Sequence, residues 1–209
     1  MAKMLKSKDI YWHLIAKSVI EPTCVKAWSE RLNICEDNNY WKKAYMLPLI
    51  CIKDIRVREF QHKVLHRYYP CQSTVAKWDQ ETLQFCILCS DDIANIIHTF
   101  YNCIHVKTFW KDLENLFNQM PNFEIEISCT QVMLGFVPYT EKNKCINHCI
   151  MYAKYFIHKE RRKQVKPLYT VFRNYYKHIL VIEKENYVIK GNCQLFKNIF
   201  NQLLDAIQS

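Results

Sequence analysis

Apolar residues recur at three- and four-residue intervals along most of this chain, a spacing that predicts helices. Asp54 to Tyr69 carries the clearest pattern. At about 100° per residue, Val57, Phe60, Val64 and Tyr68 share one narrow sector, a core stripe, and Arg56, Lys63 and Arg67 fall together beside it. Pro70 is expected to end that helix, because proline removes a backbone donor. Upstream, Ser7 to Asn33 reads as two short helices broken at Glu21-Pro22-Thr23, with Ile10, Leu14 and Ile15 on one face of the first and Val25, Trp28 and Leu32 on one face of the second. Trp41 to Leu49 is apolar without a readable period. Downstream, Thr108 to Met120 predicts a helix with Phe109, Leu113, Leu116 and Phe117 inward, and Phe123 to Ile127 alternates apolar and acidic residues as a short strand does. Asn147 to Lys163, Leu168 to Ile182 and Leu195 to Ile207 predict three further helices.

Composition agrees with the periodicity. Two glycines and six prolines in 209 residues are too few for the many tight turns of an all-β fold, and half of the residues are hydrophobic, ample for a core. The expected class is therefore mainly α. No apolar run approaches the ~20 residues that a membrane helix needs, and the charged N-terminus lacks the apolar stretch of an export signal.

The eleven cysteines change the picture. An odd number in a chain of this length, without an export signal, argues against a disulfide scaffold and for a reducing, intracellular setting, nucleus or cytoplasm, where clustered cysteines bind metal or do chemistry. One cluster has metal-ligand spacing: Cys86-x2-Cys89-x8-His98-x4-Cys103. A tight turn through Ile87-Leu88 brings two sulfurs onto one ion, and the second pair approaches from another direction. Four thiolate and imidazole ligands suit tetrahedral zinc and leave no place for a reacting water, so the site reads as structural. The alternatives are buried core cysteines with a core histidine, or His105 in place of His98. Cys145, His148 and Cys149 lack a fourth ligand and read as core, and Cys71, Cys129 and Cys193 as inert.

Charge is uneven. The net charge is +9, but Asp79 to Glu126 holds eight acids and two Lys, whereas Lys53 to Lys77 holds six Lys/Arg and two acids, and Lys154 to Lys177 eight Lys/Arg and one acid. The positive segments flank the cysteine cluster in sequence. Arg56, Lys63, Arg67, Arg161, Arg162 and Lys163 are the candidate phosphate contacts, for RNA or DNA. A solvated helix face is the competing reading of the first three. Tyr152, Tyr155, Phe156, Tyr169, Phe172, Tyr175 and Tyr176 surround the second group and read chiefly as core.

Three blocks resemble the zinc-binding region near the C-terminus of LINE-type non-LTR retrotransposon reverse transcriptases. Lys53 to Arg67 is similar to the helix that precedes the metal segment; Cys86-Ile-Leu-Cys89 through His98-Thr-Phe-Tyr-Asn-Cys103, closing with Phe109-Trp110, to its CCHC element; and Ala153 to Ile157 with Pro167 to Phe172, to its basic tail. Ser7 to Trp12 also fits the stretch after the polymerase thumb. The resemblance implies the C-terminal part of a retrotransposon polyprotein, with an N-terminal segment (1–50), a zinc-binding domain (51–120) and a basic helical tail (121–209). It implies zinc at Cys86, Cys89, His98 and Cys103, and a role in holding template RNA or target DNA. The alternative is a module that docks on a polymerase domain through Phe100, Tyr101, Phe109 and Trp110.

Catalysis is not expected. Ser90-Asp91-Asp92 follows Cys89 directly and reads as a polar turn, not as the aspartate pair of a two-metal polymerase centre. Gly135 and Gly191 cannot form a phosphate-cradling loop. No small-molecule substrate and no membrane partner are implied.

Overall fold

The structure, a computed structural model, describes residues 22–35, 37–137 and 139–208. They are helical, with no strand among them. Two units divide the chain, residues 1–35 and 36–209. In the first unit, α1 (Thr23–Leu32) buries Cys24, Val25 and Trp28 and ends on Asn33 in the left-handed conformation. The helix expected before it lies outside the described residues.

The second unit begins with α2 (Asn38–Cys51). Asp37 caps it, its carboxylate accepting from the Tyr40 N–H at 2.7 Å. Pro48 lies inside its last turn, which is why the segment had no plain helical signature. Next, α3 (Ile55–Leu65) is capped by Asp54 and buries Val57, Phe60, Gln61, Val64 and Leu65. It stops earlier than expected. Arg67 takes a left-handed φ of 59°, with its N–H on the Val64 carbonyl and the Tyr68 N–H on that of Lys63. This helix-ending motif usually uses glycine, so Pro70 is not the terminator, and Tyr68 is 74% exposed instead of completing the core stripe.

After the short α4 (Gln72–Val75) and the cysteine segment come α5 (Ile104–Asn118) and α6 (Cys129–Leu134). The expected strand between them is absent. Phe123 and Ile127 do point inward, but the partner is a helix: the Asn118 amide bonds both the N–H and the carbonyl of Ile125, and the Glu114 carboxylate accepts from the Ile127 N–H. Side chains of α5 supply what a neighbouring strand would.

The hub is α7 (Glu141–Arg162), which packs on α2, α3, α6, α8 (Tyr169–Ile189) and α9 (Cys193–Gln208). A helix apolar around most of its circumference is a core helix, and α7 buries residues as different as Cys149, Phe156, Lys154 and Arg161. Gln164 ends it with a φ of 59°, in the same motif as Arg67. Helix α9 closes the core with Phe196, Ile199, Phe200, Leu203, Leu204 and Ile207. Among the described residues no helix is long and apolar enough to cross a membrane.

Candidate metal centre

A small hairpin presents the first two cysteines. Phe85 and Ile93 form an antiparallel bridge, fastened by the Cys86 N–H on the Asp92 carbonyl (2.8 Å) and the Ala94 N–H on the Gln84 carbonyl (2.8 Å). The chain reverses at Ser90, whose φ is 63° and whose N–H bonds the Cys86 carbonyl. The Ser90-Asp91-Asp92 stretch is thus part of the turn. Backbone N–H groups of Cys89 and Leu88 are aimed at the Cys86 sulfur.

The second pair depends on an irregular helix. His98 and Cys103 are five residues apart, which in an α-helix separates side chains by about 140°. Residues His98–Asn102 instead form a π turn, in which the Cys103 N–H bonds the His98 carbonyl, and the wider turn returns both side chains to one side. Asn95 opens this turn, its side-chain oxygen accepting from the His98 N–H at 2.9 Å. Trp110 on α5 pins it from below through Nε1 to the Phe100 carbonyl at 2.7 Å.

The four ligand atoms of Cys86, Cys89, His98 and Cys103 all lie within 4.8 Å of one another. The sulfurs of Cys86 and Cys103 are 3.8 Å apart, and Nε2 of His98 is 3.4 Å from the Cys89 sulfur. The cluster is buried except at Cys89, and His98, not His105, is its nitrogen donor. It can hold a metal ion with three sulfurs and one nitrogen. The other imidazole nitrogen, Nδ1, faces the Asp92 carboxylate at 3.5 Å. The Cys86 thiol is held far below its ordinary value by its hydrogen bond with Cys103, then by the Arg161 guanidinium and the two N–H groups. That same hydrogen bond between thiols, with burial, pushes the Cys103 thiol up.

Arg161 was expected at a phosphate. It is 3% exposed, and its two terminal nitrogens sit 3.3 Å from the Cys86 sulfur and 3.3 Å from Oε1 of Gln72. It lines the cluster of cysteines and histidine, because the rotation of α7 turns it inward on the stripe that carries Ile150, Lys154 and Ile157. Arg162 and Lys163, next in sequence, face solvent, and Lys163 pairs with Glu160 at 2.7 Å. Arg56 pairs with Asp54 at 3.0 Å and Lys63 with Glu59 at 2.7 Å. Arg67 is half-buried at the end of α3.

The two basic segments do not stay apart. Helices α3 and α7 pack together, and His158 feels the charges of Arg162, Lys63 and Lys159 at once; burial first, then these cations, lowers its pKa to about 4. Lys159 also feels Arg56 and Lys163, and its ammonium lies 4.0 Å from the centre of the Tyr175 ring and 5.4 Å from that of Tyr155. One basic surface with partly exposed tyrosine rings results. Tyr152, Phe156, Phe172 and Tyr176 belong to the core, as do Phe100, Phe109 and Trp110, whereas Tyr101 of the expected docking set is half-buried.

Cys145, His148 and Cys149 are fully buried. His148 Nδ1 meets the Tyr176 hydroxyl at 2.7 Å, and burial lowers its pKa to about 3. Sequence reasoning missed Asp92 and the true place of Arg161. The signal for Arg161 was its spacing of four from Ile157 on the buried stripe.

Neither a protein-family model nor a curated protein matches the chain.

Proposed function

We propose that residues 36–209 form a zinc-stabilised nucleic-acid-binding module without a catalytic centre of its own, comparable to the C-terminal zinc-binding region of LINE-type reverse transcriptases. The cluster of three sulfurs and one imidazole carries this reading. Zinc bonds sulfur at ~2.3 Å and imidazole at ~2.0–2.1 Å. In a tetrahedron those bonds put two sulfurs about 3.8 Å apart and sulfur and nitrogen about 3.6 Å apart, against 3.8 Å and 3.4 Å here. Three thiolates favour zinc over magnesium or calcium, which take oxygen ligands. With four protein ligands the ion would be architectural, and its binding energy would act as folding energy for the 85–103 segment. Every described cysteine is a free thiol, which suits an intracellular, reducing compartment.

The partner in this reading is RNA or DNA. Support comes from the joined surface of Arg56, Lys63, Lys159, Arg162 and Lys163, where cations track phosphates and the rings of Tyr155 and Tyr175 offer stacking faces. Filter binding of the full chain to single-stranded RNA and to duplex DNA tests it. Affinity should fall steeply between low and physiological salt, as counterion release requires. Salt-insensitive binding, or none at micromolar protein, contradicts it.

A second reading, a module that docks on a polymerase domain, draws on the hairpin. Leu83, Phe85 and Ile93 are 75%, 52% and 51% exposed, and the 78–106 stretch contains no Lys or Arg. Poor solubility of the isolated chain, relieved by a polymerase fragment, would favour it.

A further inference from the structure

We infer that Arg161 is the outer-sphere counter-charge of the metal centre, so that the ion is held jointly by the hairpin and by α7, and that metal occupancy thereby sets the order of the basic end of α7. The inference rests on reading the cluster as a metal site.

The charge balance points to it. Three thiolates and a divalent ion leave one net negative charge, and Cys86, His98 and Cys103 are all buried. An uncompensated buried charge is strongly disfavoured. Arg161 brings one positive charge, itself buried, to 3.3 Å from the Cys86 sulfur. The sum is neutral. A guanidinium fits because it donates in two directions from a rigid plane: one arm takes the sulfur, and the other takes Gln72 at the start of α4. No salt bridge to Arg161 competes for it among the described residues.

The connection spans 75 residues. Without it the hairpin would close around its ion as a local unit. With it, the last turn of α7 is tied to the sulfur cage, and that turn also carries Lys159 and Arg162, with Lys163 at its cap. Emptying the cage frees the Cys86 sulfur from the ion that fixes its position and leaves the guanidinium on a movable anchor. The helix end should then fray and scatter the cations of the basic surface.

Three readouts on the full chain test this: zinc affinity by chelator competition, the thiolate-to-cobalt charge-transfer band after Co(II) substitution, and hydrogen exchange across residues 155–163 with and without metal. Arg161→Gln should weaken zinc binding about 10- to 100-fold, the range for outer-shell partners, and should shift the cobalt band, because a donor to one sulfur is lost. Arg161→Lys should recover part of both. In the wild type, metal should slow exchange across 155–163, a readout that holds even if Arg161→Gln folds poorly. Zinc affinity within twofold of wild type with an unmoved band, or exchange across 155–163 indifferent to metal in the wild type, overturns the inference. A wild-type chain that takes up no metal overturns the metal reading, and this inference with it.

Discussion

Asp92 places a carboxylate oxygen 3.5 Å from Nδ1 of His98, while Nε2 of the same ring faces the Cys89 sulfur at 3.4 Å. This is the geometry by which metal-binding histidines are oriented. A carboxylate on the far nitrogen fixes the tautomer and makes the near nitrogen a better ligand. Asp92 is itself well exposed, so its loss leaves no hole in the core. Asp92→Ala should therefore weaken zinc binding about 10-fold or more while the far-ultraviolet helical signal of the zinc-saturated protein stays unchanged. Competition with a chromophoric chelator reads the first quantity and circular dichroism the second. Unchanged affinity would remove Asp92 from the centre.

Lys154 is the least comfortable charge in the fold. Its ammonium is buried in α7 with one carbonyl, that of Met133, at 3.4 Å, and burial lowers its pKa to about 7. Above the unfolded value of 10.5 the amine is neutral in both states and costs nothing. As pH falls from there to about 7, the unfolded chain takes up a proton that the folded one refuses. Stability is lost across that window at up to ~1.4 kcal/mol per pH unit. Below pH 7 the penalty is constant. Lys154→Met should raise the denaturation midpoint at pH 7 and flatten the wild-type difference between pH 7 and 9. A variant less stable than wild type at pH 7 would show that the ammonium is better served than this geometry implies.

The two glycines should respond differently to a methyl group. Gly135 follows α6 with a φ of 87°, and a Cβ there would meet Leu47 Cδ1 at 2.7 Å and Asn147 Oδ1 at 2.8 Å. Asn147 is committed, bonding both the N–H and the carbonyl of Phe136. Gly135→Ala therefore adds a clash to backbone strain and should cost roughly 2–4 kcal/mol. Gly191 ends α8 with a φ of 70° and open space around it, so Gly191→Ala should cost only about 1 kcal/mol, the conformational part. Urea denaturation of the two variants compares them, and equal costs would contradict the packing drawn around Gly135.

What could be read in the sequence was local. The ligand quartet lies within eighteen consecutive positions, and its spacing alone selects it. The stripes of α3, α5 and α9 follow from their periodicity. What could not be read depends on how the helices are rotated against one another. Arg161 sits in the run Lys159-Glu-Arg-Arg-Lys163, and although its spacing of four from Ile157 puts it on the inward stripe, it is the packing of α7 that buries it while Arg162 stays in water. The merging of two basic segments into one surface likewise needs the contact of α3 with α7. The end of α3 was misjudged because Arg67 occupies a left-handed position that normally announces itself as glycine, whereas α7 ends within one residue of the expected Lys163. Phe123 to Ile127 alternates as a strand would, but no pattern within it reveals that Asn118 and Glu114 are its partners.

In the proposed function Cys86, Cys89, His98 and Cys103 hold one zinc ion. Metal analysis of the full chain, purified with zinc present and dialysed, measures it most directly. One zinc per chain is expected in the wild type, and its loss in Cys89→Ser. A metal-free wild type, or a Cys89→Ser variant that keeps its zinc, would contradict it.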